Sequence, residues 1–180
     1  MTHLRLVPSP DEIALGGATL SLAEDPPFVV QATVHEEDTF LVLSADRSRV
    51  SVQEHPLRVI DRAYNARAET PGTVRLAAGD PTRLLAVIHD LDREPSTCEE
   101  WVLAALRAVL DLCVERQLAS VALPLVGSVH GVLPARTAAD LLVTALVQGP
   151  GRPYPRRIWL QLDGRERDLV GERLLRCSPA

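Results

Sequence analysis

The chain contains no lysine, because all 19 of its basic residues are arginines. This absence excludes a P-loop lysine, a Schiff-base lysine for pyridoxal phosphate chemistry and a Ser-Lys catalytic dyad. Arginine still binds phosphate through two parallel hydrogen bonds. The composition therefore leaves anion binding open while it removes lysine-based catalysis.

Long apolar runs and cysteine pairs are also missing. No stretch of about 18 apolar residues is present, and the first residues lack the basic and apolar regions of a signal peptide. We therefore expect a soluble, cytoplasmic protein with no membrane partner. A formal charge of −5 without a large basic cluster argues against general nucleic-acid binding.

The cysteines are few and show no metal-binding spacing. Cys98, Cys113 and Cys177 are an odd number without a C-x-x-C pair, and we interpret them as reduced, mostly buried thiols. No group of His, Cys and Asp has the spacing of metal ligands along the chain. The sequence thus predicts no metal site and no cofactor.

Two regions differ in pattern. Over residues 1–27, Ile13, Leu15, Leu20 and Leu22 alternate around a Gly-Gly pair, which predicts an N-terminal accessory hairpin or extension. Residues 28–180 are predicted to form a single globular domain.

Within that domain the apolar pattern alternates between strand and helix. Runs over 28–34 and 40–43 predict strands, and the acidic residues 35–39 between them are interpreted as a solvated connection. Ser96 and Glu99 are expected to form a capping box ahead of the next apolar helix. The other predicted elements are helices over 56–66, 101–114, 134–147 and 166–175 and strands over 73–77, 84–89, 121–123 and 158–162.

This alternation predicts the α/β class, specifically a three-layer α/β/α domain around a mixed, partly parallel sheet. Ligands of such sheets bind beyond the carboxyl ends of the strands, where the loop over 124–134 (PLVGSVHGVLP) is expected. Glycines let backbone amides approach an anion closely at a helix start. The loop is therefore a candidate phosphate site, although a plain strand-to-helix turn explains the same residues. Its candidate ligand-binding residues are Gly127, Ser128, Val129, His130 and Gly131.

Three polar residues are further candidates, two outside this loop and one within it. Asp46 follows the 40–43 run and could hold a ribose or act as a base, or it could simply form a turn. His130 is a second candidate acid or base, but no partner carboxylate is identifiable from spacing. His89 ends an apolar run, and we expect it to hydrogen-bond a neighbouring element.

The order of these elements from residue 28 to about residue 175 resembles the macro domain family. Residues 42–46 (VLSAD) fall where the family has valine-Asn-Ala-Ala-Asn, and residues 58–65 resemble its Gly-Ala-Ile-His-Arg-Ala-Ala-Gly helix. Residues 87–89 (VIH) resemble a characteristic strand, and the 124–134 loop resembles Pro-Leu-Leu-Gly-Thr-Gly-x-Gly-Gly-Leu-Pro. The resemblance implies the macro domain fold and binding of ADP-ribose or related nucleotides, which some members hydrolyse.

Several positions depart from the family pattern. The adenine-contacting aspartate aligns near Ala32, and the ribose-contacting asparagine aligns with Asp46. The first phosphate loop corresponds to residues 51–55, which contain no glycine. In the second loop Val129 and Val132 replace glycines, so we expect that loop to take a different path.

These departures set the functional hypotheses. The leading one is a non-catalytic macro-like module with a degenerate site for an ADP-ribose-like or other nucleotide phosphate ligand. One alternative is a divergent hydrolase of ADP-ribosyl or related substrates that uses Asp46 or His130. Another is a self-associating scaffold, a homo-oligomer without a small-molecule ligand, whose N-terminal extension supplies an edge strand.

Overall fold

The computed structural model describes residues 12–43, 67–130, 132–148 and 153–177. They form seven strands and three helices. In chain order these are β1 (Glu12–Leu15), β2 (Ala18–Ser21), β3 (Ala32–Asp38), β4 (Val74–Ala77), β5 (Thr82–His89), α1 (Glu99–Glu115), β6 (Ser120–Pro124), α2 (Ala135–Val147), β7 (Arg157–Gln161) and α3 (Gly164–Cys177).

The strands form one mixed sheet in the order β1-β2-β7-β6-β3-β5-β4. Within this order the neighbouring strands β2, β7, β6, β3 and β5 pair parallel with one another. The edge strands β1 and β4 pair antiparallel with β2 and β5, respectively. The last six residues of β5 are all buried, on both faces of the sheet, as is typical of a central parallel strand, and this explains its uninterrupted apolar run. The predicted α/β class with a mixed, partly parallel sheet is confirmed.

All three helices contribute to a single apolar core on one face of the sheet. On this face the strands present alternate residues such as Val34, Leu84 and Leu160, as the period of two requires. The helices add side chains that include Val109 of α1 and Leu174 of α3. Each such fully buried aliphatic side chain contributes about 1.5–3 kcal/mol, so this layer holds the sheet and the loops at its carboxyl edge in place.

The N-terminal segment forms a two-stranded hairpin that shares this core. Its Gly-Gly turn has positive φ at both positions, 61° at Gly16 and 87° at Gly17. A Cβ on Gly16 would lie 2.4 Å from the carbonyl oxygen of Leu146 at the end of α2, so only glycine fits there. The apolar hairpin side chains are buried with those of the main sheet, and the division of the chain at residue 27 stays a prediction.

The prediction of two strands joined by an acidic connection was wrong. A single strand, β3, runs through the segment from Ala32 to Asp38, and residues 40–43 form a turn instead. Phe40 and Val42 are 47% and 57% exposed despite their β-prone side chains. The acidic residues are buried because backbone amides of the following turn and of the loop after β6, together with a histidine of β5, satisfy their carboxylates, as described below.

The predicted capping box was also wrong, although the helix it introduced is present. The N-cap of α1 is Cys98, with extended backbone and no side-chain capping bond. Thr97 instead donates its hydroxyl hydrogen bond to the carbonyl of Ile88. Glu99 and Glu100 lie in the first turn, where negative charge offsets the helix dipole.

The helix predicted over 56–66 lies outside the described residues. Within the residues that are described, no helix is both long and apolar enough to cross a bilayer.

All three cysteines are free, and they differ in burial. Cys113 is fully buried in α1, and burial raises the pKa of its thiol to about 12. Cys98 and Cys177 are half-buried. Because the thiolate is the reactive form, Cys113 is the least reactive thiol of the three.

We therefore expect an aromatic disulfide reagent at pH 8 to label at most two thiols of the folded protein rapidly. The third should react only after the protein is unfolded in guanidinium, which serves as the control for total thiol content. Peptide mapping should identify the protected residue as Cys113. Equal labelling rates for all three cysteines in the folded protein would contradict this assignment.

Candidate functional site

The loop after β6 turns sharply at a glycine that nothing larger can replace. Gly127 has a φ of 97°, and a Cβ there would lie 3.0 Å from Leu133 and 3.1 Å from Val102. The turn is closed by two bonds from Ser128, whose amide and hydroxyl both donate to the carbonyl of Leu125 at 3.0 and 2.8 Å. The loop therefore has a defined shape that depends on the glycine and the serine.

The amides of this loop are directed at a carboxylate of the protein itself. Glu36 Oε1 accepts a hydrogen bond from the amide of Gly127 at 2.6 Å and a longer one from Val129 at 3.4 Å. Glu36 belongs to the central strand β3 and is 4% exposed. One internal carboxylate oxygen thus occupies the position at which these amides would bind an external anion.

The second oxygen of the same carboxylate faces a buried histidine. Glu36 Oε2 lies 3.2 Å from Nε2 of His89, and both side chains are almost fully buried. His89 ends β5, and its other ring nitrogen lies 3.5 Å from the hydroxyl of Ser96. The expectation that His89 hydrogen-bonds a neighbouring element is confirmed.

His130 lies beside this pair at the surface. Its ring meets that of His89 edge to face, with 5.4 Å between ring centroids and 79° between ring planes. His130 is exposed, whereas Glu36 and His89 are buried. Together the three residues place ligand atoms within 4.8 Å of one another. They come from β3, β5 and the loop after β6, so their proximity is not visible in their spacing along the chain.

The remaining acidic residues of β3 hold the turn that follows it. Asp38 is fully buried, and its carboxylate accepts hydrogen bonds from the amides of Phe40, Val42 and Leu43 at 2.6, 3.0 and 3.1 Å. Glu37 accepts a further bond from Leu43 at 3.1 Å. These contacts explain how adjacent carboxylates remain buried at the end of a central strand.

His35 lies on the same strand and is half-buried. Burial and the nearby positive charge of Arg83 lower the pKa of His35, while Glu37 acts in the opposite direction. Its Nε2 lies 3.0 Å from the hydroxyl of Thr33. His35 is therefore neutral at physiological pH.

A cleft of about 250 Å³ opens at the carboxyl ends of these strands. It lies where parallel sheets place their ligands. The lining residues are Val34, His35, Glu36, Pro124, Val129, His130 and Gln161.

The predicted site residues fall in different parts of this arrangement. Val129, which is 55% exposed, and His130 line the cleft, and Gly127 directs its amide at Glu36. Val129 is not among the residues with positive φ, so the loop accommodates its β-branched side chain without strain. The Ser128 hydroxyl is bonded within the loop and lies 3.4 Å from Glu166. A ligand-binding role for these residues stays a prediction, and Asp46 and Gly131 lie outside the described residues.

Glu36 was missed as a site residue because three adjacent acidic residues were interpreted as solvated. One signal could have identified it. The acidic run follows directly on the β-branched run that ends a predicted strand, and the carboxyl ends of parallel strands are where polar site residues lie.

The fold is that of a macrodomain. The chain superposes on the macrodomain of Oceanobacillus iheyensis solved with ADP with a TM-score of 0.64 at 16% identity, covering 92% of this chain and 94% of that chain. A variant of that protein has been solved with ADPR. The macro domain of ganglioside induced differentiation associated protein 2 gives a TM-score of 0.62 at 16% identity, with 91% of this chain and 85% of that chain covered.

The macrodomain of Thermus aquaticus DarG gives a TM-score of 0.56 at 18% identity and covers 79% of this chain and 97% of that chain. No family model and no curated protein sequence matches the chain. The chain thus has the macrodomain fold, and the resemblance predicted from its sequence is confirmed at the level of the fold.

The amide cluster around Asp38 leads to a stability prediction. Replacing Asp38 with alanine leaves the amides of Phe40 and Val42 without their acceptor and the amide of Leu43 with Glu37 alone. We therefore expect the free energy of unfolding to fall by about 3–5 kcal/mol. Asp38→Asn keeps one acceptor oxygen and should lose less. Urea denaturation followed by circular dichroism measures both values.

Asp25→Ala is the matched control because Asp25 is an exposed aspartate in the same part of the chain. It should change the free energy of unfolding by less than about 0.5 kcal/mol. An Asp38→Ala variant as stable as this control would show that the carboxylate does not support the turn.

Proposed function

We propose that the protein is a non-catalytic binding module with the macrodomain fold, which takes an ADP-ribose-like nucleotide weakly through the cleft at the carboxyl edge of its sheet. The observation that carries this proposal is the 2.6 Å hydrogen bond from the Gly127 amide to Glu36, which supports weak binding because the amide already has an acceptor. A phosphate that used this amide would have to displace a buried carboxylate. It would also meet the negative charge of that carboxylate at short range.

The end of β3 supports the non-catalytic part of the proposal. Asp38 is the last residue of this central strand and is fully buried. Its carboxylate is committed to three backbone amides. A buried group that already accepts three hydrogen bonds is not available to position a ribose or a water molecule.

The size of the cleft supports weak binding. Its volume of about 250 Å³ lies below the range of about 300–1,000 Å³ that is usual for pockets that bury a small molecule. The described residues can therefore enclose part of a dinucleotide-sized ligand. The solved macrodomain complexes with ADP and with ADPR indicate the class of ligand to test.

Calorimetry with ADP-ribose on metal-free protein tests the role of Glu36. We expect weak binding by the unmodified protein and at least tenfold tighter binding by Glu36→Ala, because two loop amides are released and one negative charge is removed. Glu36→Gln is the matched control. It removes the charge but keeps an oxygen opposite the Gly127 amide, so its gain should be smaller than that of the alanine variant.

Circular dichroism checks that both variants are folded. A dissociation constant of ~1 µM or tighter for the unmodified protein would overturn the view that the loop is filled. So would a gain that is equal in the two variants, since charge alone would then explain it. Incubation with O-acetyl-ADP-ribose should give no product above the rate without protein, and turnover would contradict the non-catalytic assignment.

A further inference from the structure

Two histidines and one carboxylate converge at the wall of the cleft. Nε2 of His89 lies 3.2 Å from Glu36 Oε2. Glu36, His89 and His130 each offer one ligand atom, and these three atoms lie within 4.8 Å of one another. Ligands of a tetrahedral ion with bonds of about 2.0–2.1 Å are about 3.3 Å apart. The buried pair already has this spacing, and His130, which is exposed on a loop, needs only a modest side-chain movement to reach it.

We infer that Glu36, His89 and His130 bind a divalent transition-metal ion of the Zn²⁺ type. Two imidazoles and one carboxylate form a mixed nitrogen and oxygen donor set that suits zinc and its first-row neighbours, and it does not suit Ca²⁺ or Mg²⁺, which prefer oxygen ligands. This site goes beyond the proposed nucleotide binding and does not depend on it.

The surroundings of the buried pair orient both ligands for a metal. Glu36 is held through Oε1 by the amides of Gly127 and Val129, so Oε2 is the oxygen that remains for coordination. On His89, Nδ1 faces the hydroxyl of Ser96 at 3.5 Å, which leaves Nε2 as the coordinating nitrogen. Outer-shell hydrogen bonds of this kind fix the tautomer and the ring orientation of metal-binding histidines.

Without a metal, His89 Nε2 and Glu36 Oε2 share one hydrogen bond of 3.2 Å. A bound cation takes the place of this hydrogen bond and bonds to the lone pairs of both atoms. A neutral histidine that coordinates through Nε2 carries its proton on Nδ1, which faces the Ser96 hydroxyl oxygen as acceptor. The exchange therefore needs no new partner in the protein.

The site opens toward solvent on one side. Glu36 and His130 both line the cleft, whereas His89 lies behind them in the core. Three protein ligands leave a fourth coordination position for a water molecule or for an oxygen of a ligand in the cleft. A doubly charged cation there would outweigh the single charge of Glu36 and make the cleft attractive to an anionic oxygen.

Titration of tag-free, chelator-treated protein with ZnCl₂ in a calorimeter tests the inference. We expect saturable binding of one ion per chain. His130→Ala removes an exposed ligand without opening the core and should weaken binding at least tenfold, and Glu36→Gln should do the same. Glu100→Gln is the matched control, because Glu100 is an exposed carboxylate in the first turn of α1 and lies outside the cluster, and it should bind within about threefold of the unmodified protein.

Histidine ring proton resonances in NMR spectra locate the bound ion. Zn²⁺ should shift the ring signals of His89 and His130 by more than those of His35. Absence of saturable binding would overturn the inference. So would binding that survives unchanged in His130→Ala, or saturable binding that leaves the ring signals of His89 and His130 unshifted. Because the ADP-ribose titration is made on metal-free protein, either proposal can fail without the other.

Discussion

The carboxylate of Glu36 connects three elements that are far apart in the sequence. One of its oxygens binds the amides of the loop after β6, and the other meets His89 at the end of β5. A buried carboxylate is stable only when such partners surround it, since removing one of them leaves an uncompensated charge in the core. One side chain of the central strand therefore joins the loop, His89 and the wall of the cleft.

The architecture could be predicted from the sequence because it follows from local patterns. A few neighbouring residues are enough to predict each of three features: the apolar run of β5, the helical period of α1 and the Gly-Gly turn between β1 and β2. The position of the loop after β6 followed from the alternation of strands and helices. In these places the local preference and the tertiary structure agree.

The site was less predictable because its polar residues are satisfied by distant partners. Glu36 pairs with an amide 91 residues away and with a histidine 53 residues away, so the residues near it in the sequence do not reveal its partners. For the same reason Ser96, which was predicted to cap α1, lies two residues before the N-cap Cys98 and faces His89. At Glu36 and Ser96, tertiary contacts determine the hydrogen-bond partners of the side chain and override its local hydrogen-bonding preference.

The comparison with solved macrodomains separates fold from site. At 16% identity the fold persists over 92% of this chain. The chemistry of this edge is set by a few side chains on β3, β5 and one loop, and these can change while the core that positions them is kept. The same architecture can therefore carry a different set of donors and charges.

The turn at Gly16 links the first hairpin to the end of α2, where the backbone of Leu146 approaches it closely. Ile13, Leu15, Leu20 and Leu22 are buried in the same core as the central strands. A fragment that begins at residue 28 would lack these four side chains and would leave β7 as an unprotected outer strand. If such a fragment self-associated, the cause would be the exposed edge of β7 and the missing apolar side chains, and the result would not apply to the intact protein.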